Sequence, residues 1–368
     1  MRWNLQLALS LAINTLCVHI LTIRSLECGC DDLAMCKPIA ASHEVQVELF
    51  TIHGDDDNWN QYDWSKITTI AVKDYADIEI FCAAHARNVR VVLNEDFELD
   101  LLKNKREWAN WIQLMGDFIN SVFMDGINLN LNEALTHGSD YYNDLTQLIS
   151  QLIAYFHQEL PGSQISFNVP WTPKCKSKRC FDFLAISHMS DLFFVESFNI
   201  PNDMREGCVA TTSSSYHNVL TGLSDYIKLG VDSRKLVMGV PWYGYDYTCK
   251  RFSEAGNCEL EMTSQDDPCS YTAAVAIQYK AIMQRLPRSL TGRFWSDDQK
   301  APYFVYMDGK TYHQVWYDDP ESISMKSTFL KRLKLGGIGV WSLADVDYNG
   351  TAWATLHAEE MWNALCPP

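Results

Sequence analysis

What most constrains this chain is an alternation. Short runs rich in β-branched and apolar residues are followed repeatedly by longer amphipathic segments. The runs predict strands over Val45–Ile52, Lys66–Val72, Arg90–Asn94, Gly126–Asn132, Ile165–Pro170, Leu192–Asn199, Lys235–Trp242 and Gly337–Leu343. Helices are predicted over Ala76–Arg87, Arg106–Val122, Tyr141–Glu159, Leu223–Leu229, Ala273–Leu286, Ile323–Leu335 and Thr351–Leu365. The stripe Leu145, Leu148, Ile149, Leu152, Ile153 and Phe156 marks one apolar helix face. Strand followed by helix, over and over, is the order of a parallel α/β sheet. The number of strands, and the lack of a Gly-rich phosphate loop after the first, favour a closed (β/α)8 TIM barrel over an open doubly wound sheet. The interval Gly244–Arg293 is too long for a loop, and with Cys249, Cys258 and Cys269 it reads as a disulfide-rich excursion after the seventh strand. No repeat or linker divides residues 27–368, which are expected to form one barrel domain.

Residues 1–26 read as a secretory signal peptide: Arg2, then a mostly apolar run from Leu5 to Ile23. An N-terminal membrane anchor is the alternative reading. No second run approaches the roughly 20 apolar residues that span a bilayer. Removing the leader takes Cys17 and leaves an odd number of the 12 cysteines, with no zinc-type spacing among them. Disulfides are therefore expected, their pairing left open, and no metal or cofactor. Asn349-Gly-Thr351 is an N-glycosylation sequon. These features point to the secretory pathway, with a lysosomal or extracellular destination. A formal net charge of −16 excludes a phosphate-backbone binder, so no nucleic-acid partner is expected.

Within the predicted fourth strand the alternation becomes chemically odd. In Gly126-Ile-Asn-Leu-Asn-Leu-Asn132, Ile127, Leu129 and Leu131 share one face while Asn128, Asn130 and Asn132 share the other. Carboxamides hold a ligand by hydrogen bonds, but they do not give up a proton as an acid does.

Asp125-Gly126-Ile-Asn128-Leu-Asn130-Leu-Asn132 resembles the Asp-Gly-x-Asp-x-Asp-x-Glu motif on the fourth strand of glycoside hydrolase family 18 chitinases. The resemblance is strongest to the chitobiase branch, which also carries Asn at the position of Asn128. It extends through Cys28-Gly-Cys30, Tyr62-Asp-Trp-Ser-Lys-Ile, Lys235-Leu-Val-Met-Gly-Val-Pro-Trp-Tyr243, Gln314-Val-Trp-Tyr-Asp318 and Gly337-Ile-Gly-Val-Trp341. In that family the final Glu protonates the glycosidic oxygen, and the Asp two residues earlier orients the substrate's own acetamido nucleophile. Here those positions are Asn132 and Asn130. A second family motif, Met-x-Tyr-Asp, reads Glu196-Ser-Phe198-Asn199, so its hydroxyl and carboxylate are also missing.

Glu133 and Glu196 are the candidate replacement acids. Glu133 is one residue out of register, which puts it on the opposite face. Glu196 shares the parity of Phe198 and points into the barrel. The resemblance implies that Trp341 stacks a sugar, and Trp171, Trp242 and Tyr243 are candidate neighbours at the mouth. Three functions fit: a non-hydrolytic binder of chitooligosaccharide or of the N-glycan core's N-acetylglucosamine, a glycosidase using Glu196 or Glu133, and an interaction module without sugar binding.

Overall fold

A computed structural model of the chain describes residues 29–39, 48–53, 58–73, 78–176, 178–200, 208–253, 256–261 and 274–365. The leader, Cys28, Cys269 and Cys366 lie outside these residues. The first seven strands are β1 (Glu48–Ile52), β2 (Thr69–Val72), β3 (Arg90–Asp96), β4 (Gly126–Asn130), β5 (Gln164–Pro170), β6 (Leu192–Glu196) and β7 (Leu236–Pro241). The chain then makes its excursion through β8 (Tyr243–Thr248), β9 (Arg251–Phe252), β10 (Cys258–Glu259), β11 (Ala274–Gln278), β12 (Phe294–Ser296), β13 (Ala301–Asp308) and β14 (Thr311–Trp316). It returns as β15 (Gly337–Trp341), which pairs in parallel with both β7 and β1 and closes an eight-stranded barrel. The TIM barrel predicted by the alternation is the observed fold.

The outward face of every barrel strand feeds one continuous core. Ile127 and Leu129 of β4, Phe167 and Val169 of β5, and Met238 and Val240 of β7 pack beneath helices such as Asp140–Glu159 and Tyr216–Leu229. The inward face is mixed. At the bottom, Arg90 donates to Gln164 and lies 3.4 Å from Glu48, a polar plug remote from the mouth. In the middle the Phe194 ring fills the lumen. It needs Gly239 and Gly339 beside it, because a Cβ there would lie 2.7 and 2.4 Å from ring atoms.

Four predicted strands end early, β7 at Pro241 and β15 at Trp341 among them, and two of these endings bear on the site. β4 stops at Asn130 and β6 at Glu196, since Asp96↔Asn130 and Glu196↔Gly239 are their last paired residues. The excursion is larger than expected, running to Trp316. It contains a five-stranded antiparallel sheet in the order β11-β8-β14-β13-β12 and a small β10-β9 ribbon. The alternating residues of β13 and β14, joined around Gly309, carried a hairpin that the sequence reading passed over. Disulfides join Cys30 to Cys82, Cys175 to Cys180 and Cys249 to Cys258, and Cys36 and Cys208 are also disulfide-bonded.

Candidate functional site

Parity places the site. On β4 the even residues face the lumen, so Asn128 and Asn130 are buried there one above the other. Asn128 donates to Asn94 Oδ1 at 2.7 Å and Asn168 Oδ1 at 3.0 Å, and accepts from the Ser166 hydroxyl at 2.8 Å. It is a structural node linking β3, β4 and β5.

Asn130 sits one layer higher, at the mouth. Its amide donates to Asp96 Oδ1 at 2.7 Å, and its carbonyl oxygen accepts from Arg179 at 3.1 Å. Arg179 also donates to Glu196 at 2.5 Å and to the Asn168 backbone carbonyl at 3.3 Å. On the other side, Lys73 Nζ is 3.1 Å from Asp96 Oδ2. The mouth is thus crossed by a chain of groups, Lys73–Asp96–Asn130–Arg179–Glu196, with both carboxylates balanced by cations. The Arg179 and Glu196 side chains are only 9% and 16% exposed.

Burial raises the Glu196 pKa above the ordinary glutamate value; Arg179 pulls it down and the charge of Asp96 pushes it up. Arg179 is delivered by a short loop tied by the Cys175–Cys180 disulfide and bridged to Leu135.

The other predicted positions separate. Asn132 lies past the end of β4, exposed, with its amide 3.5 Å from Asp96 Oδ1. Glu133 is exposed and accepts from the Leu99 backbone N–H, at the start of helix Leu99–Lys103. That engagement ties it to a helix N-terminus, where anions are favoured. Asp125 is buried before β4 and accepts from Ile39 N at 2.5 Å, Val91 N at 2.6 Å and His85 Nε2 at 2.9 Å. It anchors the fold away from the mouth.

Phe198 is buried in the lumen cluster with Phe50, Val92, Phe194 and Val237. Half-buried Trp341 leans on it, with ring centroids 6.0 Å apart. The Trp341–Ser342 peptide is cis, and Ser342 N donates to Asp345 at 3.0 Å. Asn199 is exposed and accepts from the phenols of Tyr243 at 2.8 Å and Tyr245 at 2.7 Å. Burial raises both phenol pKa values, so both stay hydrogen-bond donors.

Trp171 and Trp242 are not at the mouth. Trp242 is fully buried, edge-on to Trp362 at 5.2 Å. Trp171 is buried against Gly222, with Lys176 over its ring at 5.4 Å. Both carry the outward parity of their strands, Phe167–Val169–Trp171 and Met238–Val240–Trp242, and belong to the shell beneath the helices. The sequence reading missed Lys73, Asp96 and Arg179. Asp96 was findable from its parity with Asn94; Arg179 comes from a loop and gives no periodic signal.

Comparison with known proteins settles the descent. A family model for glycosyl hydrolases family 18 matches residues 50–347. The chain belongs to this family. It is 39% identical over 343 residues to di-N-acetylchitobiase of Homo sapiens, covering 93% of this chain and 89% of that one. It is 30% identical over 352 residues to probable di-N-acetylchitobiase 2 of Dictyostelium discoideum, covering 92% and 90%. The family 18 barrel is equally visible in three dimensions. A family 18 chitinase from Cycas revoluta, in complex with (GlcNAc)3, superposes with a TM-score of 0.68 at 14% identity, covering 86% of this chain and 100% of that one.

Proposed function

We propose that this chain is a chitobiase-like family 18 protein that binds N-acetylglucosamine-containing oligosaccharides at the barrel mouth without hydrolysing them. The observation that carries the reading is the fate of the carboxylates. The acid position is the amide Asn132, the acetamide-orienting position is the amide Asn130, and the remaining carboxylates nearby are engaged. Asp96 is held by Lys73 and Asn130, Glu196 by Arg179, and Glu133 by a helix N-terminus. General acid catalysis contributes about 10²–10⁴-fold and requires a group free to give its proton in the transition state. Half-buried Trp341, resting on Phe198, supports retention of a sugar platform.

A second reading has one observation in its favour. Burial raises the Glu196 pKa, which is what a general acid needs. Its contact with Arg179 counts against it, because a guanidinium on Oε2 favours the ionised carboxylate over the proton-bearing form. A third reading, an interaction module without sugar binding, predicts no ligand at the mouth.

Calorimetric titration with chitobiose and chitotriose separates the readings. Saturable heat that Trp341→Ala weakens supports the saccharide site; absence of heat at millimolar sugar leaves the interaction module. The disulfides, and the lack among the described residues of a helix able to cross a membrane, are compatible with a secretory protein. Release of the leader over residues 1–26, a glycan on exposed Asn349 and a lysosomal or extracellular destination belong to this proposal.

A further inference from the structure

A fully buried lysine stands behind the turn that follows β6. Lys326 lies on the helix Pro320–Leu333 with none of its side chain exposed. Its Nζ donates to Asp318 Oδ1 at 2.6 Å, to Asp318 Oδ2 at 2.8 Å and to the Ser214 hydroxyl at 3.0 Å. An ammonium carries three donors and no acceptor, so the direction of the last bond is fixed. Ser214 must accept from Lys326, and its own proton goes to the Ser197 carbonyl at 2.7 Å.

Ser197 is the first residue past β6, between Glu196 and Phe198. Three residues on, the Ile200 N–H donates to the Ser213 carbonyl at 2.9 Å. Ser213 and Ser214 therefore grip the turn on both sides of Phe198 and Asn199. Asn199 sits in the left-handed region at a φ of 53°, a conformation that persists in a non-glycine residue only where its surroundings enforce it. The same turn sets Phe198 beneath Trp341 and brings Asn199 to the phenols of Tyr243 and Tyr245. A buried ion pair is weak evidence for stability, because apolar residues of similar volume often fill such a space without loss. Packing alone does not account for Lys326.

We infer that Lys326 is a positioning residue for the barrel mouth: paired with Asp318, it orients the Ser214 hydroxyl that holds the Ser197–Ile200 turn in its ligand-facing shape. The inference rests on the saccharide reading above and deepens it. Lys326 acts through Ser214 and the backbone of the turn.

The test follows variants of the full chain by the side-chain amide resonance of Asn199 and by calorimetric titration with chitotriose. Ser214→Ala deletes the hydroxyl and keeps the ion pair. Asp318→Leu with Lys326→Met deletes the ion pair without stranding a charge. Ser327→Ala is the control, a buried serine of the same helix that bonds to the Ile323 and Ala364 carbonyls. In the first two, the Asn199 resonance is expected to shift and affinity to fall roughly two- to tenfold. In the control both should stay as they are. A resonance unmoved in both Ser214→Ala and the paired variant overturns the positioning role, whatever the sugar does. A shifted resonance with unchanged chitotriose affinity overturns its part in binding. A shifted resonance with no sugar heat even in the unaltered chain overturns the saccharide reading and upholds the hold of Lys326 on the turn.

Discussion

Arg179 and Glu196 meet at 2.5 Å across the floor of the barrel mouth, one from a disulfide-tied loop and the other from the end of β6. Breaking a buried ion pair from one side strands the remaining charge. Glu196→Leu is therefore expected to cost about 3 kcal/mol or more of unfolding free energy in urea. The double variant Arg179→Met with Glu196→Leu should recover most of that loss. Equal losses in the single and double variants would show that the pair has no such role.

The same pair fixes the sign of a titration. Burial and Asp96 raise the Glu196 pKa while Arg179 lowers it. Arg179→Met should push the value further up, and Asp96→Asn should bring it down, both read by carbon NMR of the labelled glutamate carboxyl. The linkage follows. A folded value above the unfolded one means this increment of stability is complete on the acid side. It is lost as pH rises through the folded value.

Restoring the motif should not restore hydrolysis. In Asn130→Asp with Asn132→Glu, the new carboxylate at 130 would lie against Asp96 and be captured by Arg179, which already reaches the Asn130 carbonyl at 3.1 Å. Phe198 still lacks the hydroxyl, and Asn199 the carboxylate, of the family motif. Chitotriose cleavage by this variant is expected to stay at the buffer rate in a mass-spectrometric time course. A rise of about a hundredfold would mean the general acid alone was missing.

The two classes of tryptophan should separate cleanly. Trp242→Ala empties a fully buried site beside Trp362 and should cost about 3–5 kcal/mol in chemical denaturation. Trp341→Ala removes a half-buried ring and should instead weaken oligosaccharide binding roughly tenfold with little change in midpoint. A reversal of these effects would misplace the site.

Much of this was legible in the chain itself. The repeated strand–helix pattern defined the barrel because parallel strands require crossovers. Alternation on β4 placed Asn128 and Asn130 inside. The same rule, applied to Phe167–Val169–Trp171 and Met238–Val240–Trp242, would have assigned both tryptophans to the outer shell. Their position at the C-terminal ends of the predicted strands drew them to the mouth instead. Arg179 was beyond reach because its position depends on a loop and a disulfide rather than on any period. Glu133 was kept as a candidate acid although its register put it on the opposite face; β4 ends at Asn130, before register can act on it, and its contact with the Leu99 N–H holds it at a helix N-terminus.

The central claim is that sugar recognition outlasted the proton donor. Its most direct test is chitotriose incubated with stoichiometric purified protein and followed by mass spectrometry, with Glu196→Gln alongside. Intact chitotriose retained by the protein, with release of mono- and disaccharide no faster than in buffer, is the predicted result. Cleavage that exceeds the buffer rate and disappears in Glu196→Gln would contradict it and make Glu196 the working acid.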